Sequence, residues 1–401
     1  MAHPTTALIH HRYVPPEGFE APQLGVFKAS TVYFPTVAAM RSREWKDKSA
    51  YTYGLHGTPT TYALEERLCT LEGGLQCVLV PSGLAAVSLV ALALLKHGDE
   101  VLIPDNAYGP NKALAEGELK DWGITHQYYD PMDPQDLDAK MSSRTRLVWV
   151  EAAGSVTLEF PDLPALVRIA KGKGAVVALD NTWGAGLAFA PFNLLPGDEV
   201  PLGVDISAHA LTKYPSGGGD VLMGSVITRN AGLHLRIKLA HMRLGLGVGA
   251  NDAEAVLRAL PSIELRYRAH DEATRELAQW CNTQPAFVQV LHPALGDSPG
   301  HAHWKSLCKS GPGGAAGLFS VVIDPCYNQD QVDAFCDALQ LFRLGYSWGG
   351  PSSLVVPYDL ASMRTHWPAH IARGTLVRFS IGLEAVEDLQ ADIAQALQNL
   401  R

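Results

Sequence analysis

Lysine, aspartate and a small-residue turn, each placed just after an apolar stretch of strand length, are the groups in this chain that could do chemistry together. Lys213 lies in the segment Val-Asp-Ile-Ser-Ala-His-Ala-Leu-Thr-Lys-Tyr-Pro, followed by Gly217, Gly218 and Gly219. An ammonium at the end of a buried strand loses hydration, which lowers its pKa and makes a Schiff base with an aldehyde accessible. Asp180 ends the apolar run Val176, Val177, Ala178, Leu179. Pro81, Ser82 and Gly83 separate another apolar run from an apolar helix. A turn of that kind presents free backbone N–H groups and a positive dipole end to an anion. Taken singly, Lys213 also reads as a surface lysine, Asp180 as a helix cap and the turn as an ordinary connection. Together they offer an amine for an aldehyde, an anchor for a pyridinium nitrogen and a cup for a phosphate, the parts a pyridoxal phosphate site needs.

The elements that must position these groups follow from the hydrophobic period. An amphipathic helix is predicted over 62–71, a strand over 77–80, and an apolar helix from Gly83 that Gly98 ends. Strands at 100–104, 125–129, 146–151 and 175–179 then alternate with helices at 111–122, 134–140 and 163–171. Such alternation indicates a mostly parallel sheet covered on both faces, with ligands at the carboxyl ends of its strands. After a strand-like 221–228 the chain reads as helical over 231–278 with a kink at Pro261. Strands at 317–323 and 376–381 with helices at 329–341 and 386–400 indicate a smaller α+β unit. The first fifty or so residues, with Pro15, Pro16, Pro22 and Pro35, read as an extended arm. The expected division is an arm over 1–60, a cofactor domain over 61–258 and a C-terminal domain over 259–401.

Composition narrows the function classes. The 401 residues carry 41 acidic and 32 basic side chains, a formal net charge of -9, and 18% charged residues against 47% hydrophobic ones. Disorder as the main state is excluded, and no Lys/Arg run points to nucleic acid or an anionic membrane. Cys69, Cys77, Cys281, Cys308, Cys326 and Cys336 form no C-x-x-C pair, so free thiols in the cytoplasm are expected. The N-terminus has no signal-like apolar stretch, and the apolar run 84–95 falls short of the ~20 residues that span a bilayer. His10 with His11, and His301 with His303, lack companions at ligand spacing and read as exposed loop histidines, so no metal is expected.

A set of motifs completes the reading: Tyr53-Gly-x-x-Gly-Thr58, Ser82-Gly83-Leu84, Asp105-Asn106-Ala107-Tyr108, Asp180-Asn181-Thr182-Trp183, Ala210-Leu211-Thr212-Lys213-Tyr214, Ser347-Trp348-Gly349-Gly350 and Arg378-Phe379-Ser380-Ile381-Gly382-Leu383-Glu384. On these, nearly the whole chain resembles the cystathionine-metabolising family of pyridoxal-phosphate enzymes. The resemblance implies the aspartate-aminotransferase type of α/β fold (fold type I), with a mostly parallel large domain and a smaller α+β C-terminal domain. It also implies a homotetramer of two catalytic dimers with active sites at the dimer interface.

Carried over by position, Lys213 matches the lysine that holds pyridoxal 5'-phosphate and moves protons. Asp180 matches the carboxylate that keeps the pyridine nitrogen protonated, and Tyr108 the tyrosine stacked on the ring. Gly83, Leu84 and Thr212 would meet the phosphate, with Tyr53 reaching it from the neighbouring subunit. Arg378, assisted by Ser347, would grip the substrate α-carboxylate, and Trp348 would wall the site beside the cofactor. Leu55 stands where the family usually has a phosphate-binding arginine, and Gly217, Gly218, Gly219 and Asp220 stand for its usual Gly-His-Ser-Asp. Gly154 and Ser155 in place of Asn-Pro, Trp348 in place of Leu, and Ala210 in place of Ser resemble members acting at Cβ. The activity implied is carbon–sulfur β-elimination from L-cystathionine to homocysteine, pyruvate and ammonia. A γ-acting relative, a cysteine desulfhydrase and, from a different class, a non-catalytic cofactor-binding protein are the alternatives.

Overall fold

Apolar residues alternate between two cores across the larger sheet, and that alternation fixes its position in the molecule. In the computed structural model, which describes residues 3–10, 17–18, 21–42, 48, 50–197, 201–309 and 311–400, the sheet comprises β1 (Gln76–Val80), β2 (Glu100–Pro104), β3 (Thr125–Tyr129), β4 (Thr145–Glu151), β5 (Val176–Asp180), β6 (Ile206–Ala210) and β7 (Gly224–Thr228). Their order is β1-β7-β6-β5-β4-β2-β3. β7 runs antiparallel to both of its neighbours, while β6, β5, β4, β2 and β3 pair in parallel. The sheet is thus mixed and mostly parallel. Val148, Val150, Val177 and Leu179 point into one core with Leu64 and Leu68. Leu147, Trp149 and Ala178 point into the other with Val87 and Val90 of the helix Gly83–Leu94. Burial on both faces is what a parallel sheet between helices requires.

A second sheet holds β8 (Phe287–Leu291), β9 (Leu318–Ile323), β10 (Arg343–Leu344), β11 (Leu354–Tyr358) and β12 (Thr375–Ser380), in the order β10-β11-β12-β9-β8. Its core is built on Phe319, Phe335, Phe342 and Phe379, with Leu277 from the helix Ile263–Cys281 and Ile393 from the helix Val386–Ala396. β12 is central, which places Arg378 between Val356 and Ser320 on its neighbours.

Local chemistry revises several expected elements. The helix Pro59–Glu72 starts in a capping box between Thr58 and Thr61, and it buries Glu65, Arg67 and Glu72 along with its leucines. It is covered on most sides rather than amphipathic. The helix from Gly83 ends at Leu94, before Gly98, because the Asp99 carboxylate accepts the Lys96 N–H at 2.9 Å and turns the chain. Gly98 serves that turn in the left-handed region, at φ 86°. The expected long helix over 231–278 is broken twice. Ala231–Leu244 ends at left-handed Gly245, and Ala250–Ala259 is followed by the Leu260–Ser262 turn at Pro261. The arm is not wholly extended, since Pro4–Ile9 and Val37–Ser42 are short helices and Leu8 is buried in the first core. His301 and His303 open the helix His301–Leu307 rather than lying in a loop, and His301 is tied to the Pro293 carbonyl. His11, Pro15 and Pro16 lie outside the described residues. All six cysteines are free thiols. Among the described residues no helix is long and apolar enough to cross a membrane, and no group of three or more potential metal ligands occurs.

Candidate active site

Four parallel strands deliver chemistry at their carboxyl ends. Tyr108 follows β2, Glu151 ends β4, Asp180 ends β5 and Lys213 follows β6. All four line a cavity of about 710 Å³, as do Gly83, Leu84, Thr212, Ser347, Trp348 and Arg378. The second sheet contributes Arg378 from β12 and Tyr358 from β11. Every predicted site residue except Tyr53 therefore faces one cavity.

Lys213 Nζ donates to the Ser347 hydroxyl at 2.9 Å and sits 5.4 Å from the centre of the Trp348 ring. Burial, reinforced by the Arg378 charge and opposed by Asp180, lowers the Lys213 pKa from 10.5 to about 8. Tyr214 anchors the next position. Its ring is fully buried against Tyr267 and Trp348, its hydroxyl accepts the Gly317 N–H at 2.7 Å, and its carbonyl accepts from Arg266 at 2.7 Å. Gly349, at φ 77°, turns the chain so tightly that a Cβ there would lie 3.0 Å from the Tyr214 nitrogen. That turn brings Ser347 and Trp348 to the lysine.

Asp180 and Glu151 are opposite each other in the β4–β5 register. Asp180 Oδ1 accepts from both the N–H and the hydroxyl of Thr182, at 3.0 and 2.5 Å, and no hydrogen bond reaches Oδ2 among the described residues. Glu151 accepts the Tyr108 N–H at 2.8 Å and the Ser155 hydroxyl at 2.7 Å. Burial first, and for Glu151 the neighbouring Asp180 charge as well, pushes both carboxyls above their ordinary range. Burial and the same two carboxylates also raise the Tyr108 phenol. Beneath them, fully buried Glu72 accepts from Asn181 at 3.0 Å and pairs with His209 Nδ1 at 2.8 Å.

The residues fit the cofactor that the sequence leads one to expect. Ser82 caps the helix Gly83–Leu94, its hydroxyl taking the Ala85 N–H at 3.0 Å and its carbonyl the Ala86 N–H at 3.1 Å. The Gly83 and Leu84 N–H groups are left for an anion. A Cβ on Gly83 would lie 2.5 Å from the Ala210 Cβ, so only glycine lets this helix end approach β6 so closely. The Asp180 oxygen without a hydrogen bond suits a protonated ring nitrogen. Arg378 is half-buried with its Nε buried and unpartnered, and its guanidinium carbon lies 5.3 Å from the Tyr358 ring centre, a geometry that calls for an incoming carboxylate. The Thr212 hydroxyl is engaged with the Met223 backbone in both directions at 3.3 Å, so it anchors the loop after Gly219 as well as lining the cavity.

Tyr53 is not in this cavity. It is half exposed, bridged to Thr31 across the arm. Leu55 and His56 line a separate small cleft with Lys238 and His241. Sequence reasoning passed over Glu151, although the strand-end rule that selects Asp180 selects it equally. It also passed over Tyr346 and Tyr358, which carry no local signal because the second sheet folds them over the strand ends of the first. A buried clamp joins the two sheets beside Tyr108. Glu159 binds Arg364, His370 at 2.5 Å and Asn106 at 2.9 Å, while Asp105 accepts from Thr365 and Lys112.

Residues 5–398 match the sequence family described as Cys/Met metabolism PLP-dependent enzyme. A relative from Rhizobium johnstonii is 42% identical over 371 residues, covering 92% of this chain and 89% of the relative. Cystathionine beta-lyase of Bordetella avium is 36% identical over 386 residues, covering 96% of this chain and 93% of its own. The crystal structure of metB from Corynebacterium glutamicum matches with a TM-score of 0.88 at 27% identity, over 100% of this chain and 99% of that one.

Proposed function

Because the chain belongs to the Cys/Met metabolism family of pyridoxal-phosphate-dependent enzymes, we propose that it is a carbon–sulfur β-lyase that converts L-cystathionine to homocysteine, pyruvate and ammonia. The observation that carries this reading is the convergence of Lys213, Asp180 and Arg378 on one cavity. The name of the Bordetella avium relative and the Gly154–Ser155 pair after Glu151 support action at Cβ.

When bound, pyridoxal phosphate supplies an electron sink for the pair left on Cα. The remaining work falls to the chain's own side chains. The Gly83 and Leu84 N–H groups and Thr212 would hold the phosphate, Asp180 would meet the ring nitrogen, and Tyr108 would cover the ring. Arg378 and Ser347 take the substrate α-carboxylate, which turns the Cα–H bond toward Lys213. An amine shifted to about 8 is poised near neutrality for taking and returning a proton. Lys213 removes the Cα proton, the Cβ–S bond breaks with its electron pair going to sulfur, a proton passes to sulfur from Lys213 with Tyr108 tuning it, and the released three-carbon enamine is hydrolysed by water to pyruvate and ammonia. Glu151 fixes the Tyr108 backbone at 2.8 Å.

The same proposal includes a homotetramer of two dimers, with Tyr53 reaching the partner's phosphate. It divides the chain into an arm over 1–60, a cofactor domain over 61–258 and a C-terminal domain over 259–401. Free thiols suit a reducing compartment, and we place the protein in the cytoplasm. Product analysis of the holoenzyme with L-cystathionine tests the reaction. Pyruvate is expected, and 2-oxobutyrate as the main keto acid would refute β-chemistry. Lys213→Ala should lose both turnover and the borohydride-fixable cofactor linkage while keeping its far-UV circular dichroism.

A further inference from the structure

We infer that Glu151 and Asp180 share a single negative charge, with Glu151 holding the proton, so that of the two carboxyls at the strand ends only Asp180 is ionised. What that lone charge is for rests on the β-lyase reading above; the division of charge does not. Glu151 is on this account a positioning residue.

Facing residues on neighbouring parallel strands lie about 4.8 Å apart and turn their side chains to the same face. Glu151 and Asp180 are such a pair, in register at the ends of β4 and β5, and both line the cavity. Two carboxylates that close and shielded from water repel strongly, so one of them keeps its proton. The described residues bury five glutamates, Glu65, Glu72, Glu100, Glu151 and Glu159. Four of these have a basic partner, Lys48, His209, Arg144 and Arg364 in turn. Glu151 has Asp180 instead. The other titratable groups around it are Tyr108 after β2, Tyr129 from β3, His209 and Lys213 from β6 and its turn, and Tyr358 and Arg378 from the second sheet. Among the described residues none of the cations bonds to Glu151, whose contacts are the Tyr108 N–H at 2.8 Å and the Ser155 hydroxyl at 2.7 Å. The residue is 8% exposed and both its oxygens are engaged by its own chain, which makes this pair a matter of one subunit.

The hydroxyls decide which carboxyl keeps the proton. The Thr182 hydroxyl accepts the Ala210 N–H at 3.0 Å, so its own proton is left for Asp180 Oδ1 at 2.5 Å, where the Thr182 N–H also donates at 3.0 Å. Two donors on one oxygen favour the carboxylate. The Ser155 hydroxyl has no second partner among the described residues, so it accepts from a protonated Glu151 as readily as it donates. Burial first and then the Asp180 charge raise the Glu151 carboxyl; burial raises Asp180 too, but Thr182 and the His209 and Lys213 charges oppose it. A second anion beside Asp180 would also favour the Lys213 ammonium, against the burial that keeps this amine able to take a proton.

The test reads the carboxylic-acid C=O stretch in infrared spectra of the cofactor-free protein. At about pH 7, well above the ordinary glutamate value, the wild type should show a band that isotope-labelled glutamate displaces and that Glu151→Gln lacks. Asp180→Asn removes the neighbouring charge, so its glutamate band should disappear at a pH lower by about one unit or more. Thr182→Val takes a donor from Asp180 and should weaken the glutamate band as the proton passes to the aspartate, where labelled aspartate reports it. A spectrum without the glutamate band at about pH 7, a band that follows labelled aspartate only, or a midpoint untouched by Asp180→Asn would overturn the inference. The β-lyase reading stands or falls separately, on pyruvate release from L-cystathionine.

Discussion

The pH at which the cofactor-free protein captures pyridoxal phosphate should report the environment of Lys213 directly. Only the neutral amine attacks an aldehyde, so capture follows the deprotonated fraction. Burial, with Arg378 adding to it, brings this pKa from 10.5 to about 8. At pH 7 that raises the neutral fraction roughly 300-fold over an unperturbed lysine. The sign is fixed because burial and a neighbouring cation both disfavour the ammonium, so capture should climb with pH through a midpoint near the lowered value. Charge removal separates the contributions. Arg378→Met takes away a repelling cation and should move the midpoint up, whereas Asp180→Asn takes away an attracting anion and should move it down. In both variants burial, the largest cause, should keep the midpoint below 10.5. The assay strips the cofactor with hydroxylamine, mixes the protein with excess pyridoxal phosphate over a pH series and follows the chromophore by stopped flow. Borohydride trapping and peptide mass spectrometry confirm the linkage at Lys213. A wild-type midpoint near 10.5, or shifts of the same sign in the two variants, would refute the reasoning.

Three further perturbations probe the supports of the site. Burial and Asp180 hold the Glu151 carboxyl above its ordinary value, so over that window the unfolded chain releases a proton the folded chain keeps, and stability falls as pH rises. Glu151→Gln should flatten this slope in urea titrations of the cofactor-free protein at about pH 5 and about pH 8; an unchanged slope would remove the assignment. Arg364→Met leaves Glu159, whose side chain is 1% exposed, without its arginine partner, with His370 and Asn106 still in place, and should cost ~3–5 kcal/mol near neutrality. Despite burial, Arg364, His370 and Asn106 hold the Glu159 pKa near about 2, so the wild-type contribution is present above the ordinary glutamate value and is lost on acidification toward about 2. A loss below ~1 kcal/mol would mean that the clamp between the sheets adds little. Leu55→Arg should tighten cofactor retention on dialysis by roughly one to two decades and Tyr53→Phe should loosen it, whereas unchanged retention in both would mean that the arm does not reach the phosphate.

Much of the larger sheet was legible because its physics is local. The strands at 100–104 and 125–129 and the helix at 134–140 coincide with Glu100–Pro104, Thr125–Tyr129 and Pro134–Lys140, since apolar runs and prolines at helix starts act within a few residues. Lys213, Asp180 and the Ser82–Gly83 turn were legible for the same reason, each marking the end of an apolar strand. The break at Gly245, Gly247 and Gly249 falls where Leu244, Leu246 and Val248 alternate with glycine, and the left-handed Gly245 fixes where the chain turns.

What the sequence alone determined, then, is which side chains stand at strand ends and which backbone turn opens a helix. Tertiary structure decided their electrostatic state and their company. Asp180 and Glu151 lie on different strands, and folding buries both and, through the β4–β5 register, sets the Asp180 charge beside Glu151, whose pKa it raises further. Lys213 acquires its lowered pKa because folding buries it, and Arg378 brought in from β12 adds to the shift. The aromatic wall of Tyr346, Trp348 and Tyr358 exists only where the second sheet meets the carboxyl edge of the first. Desolvation and charge proximity depend on distances in space, and no spacing along the chain encodes them.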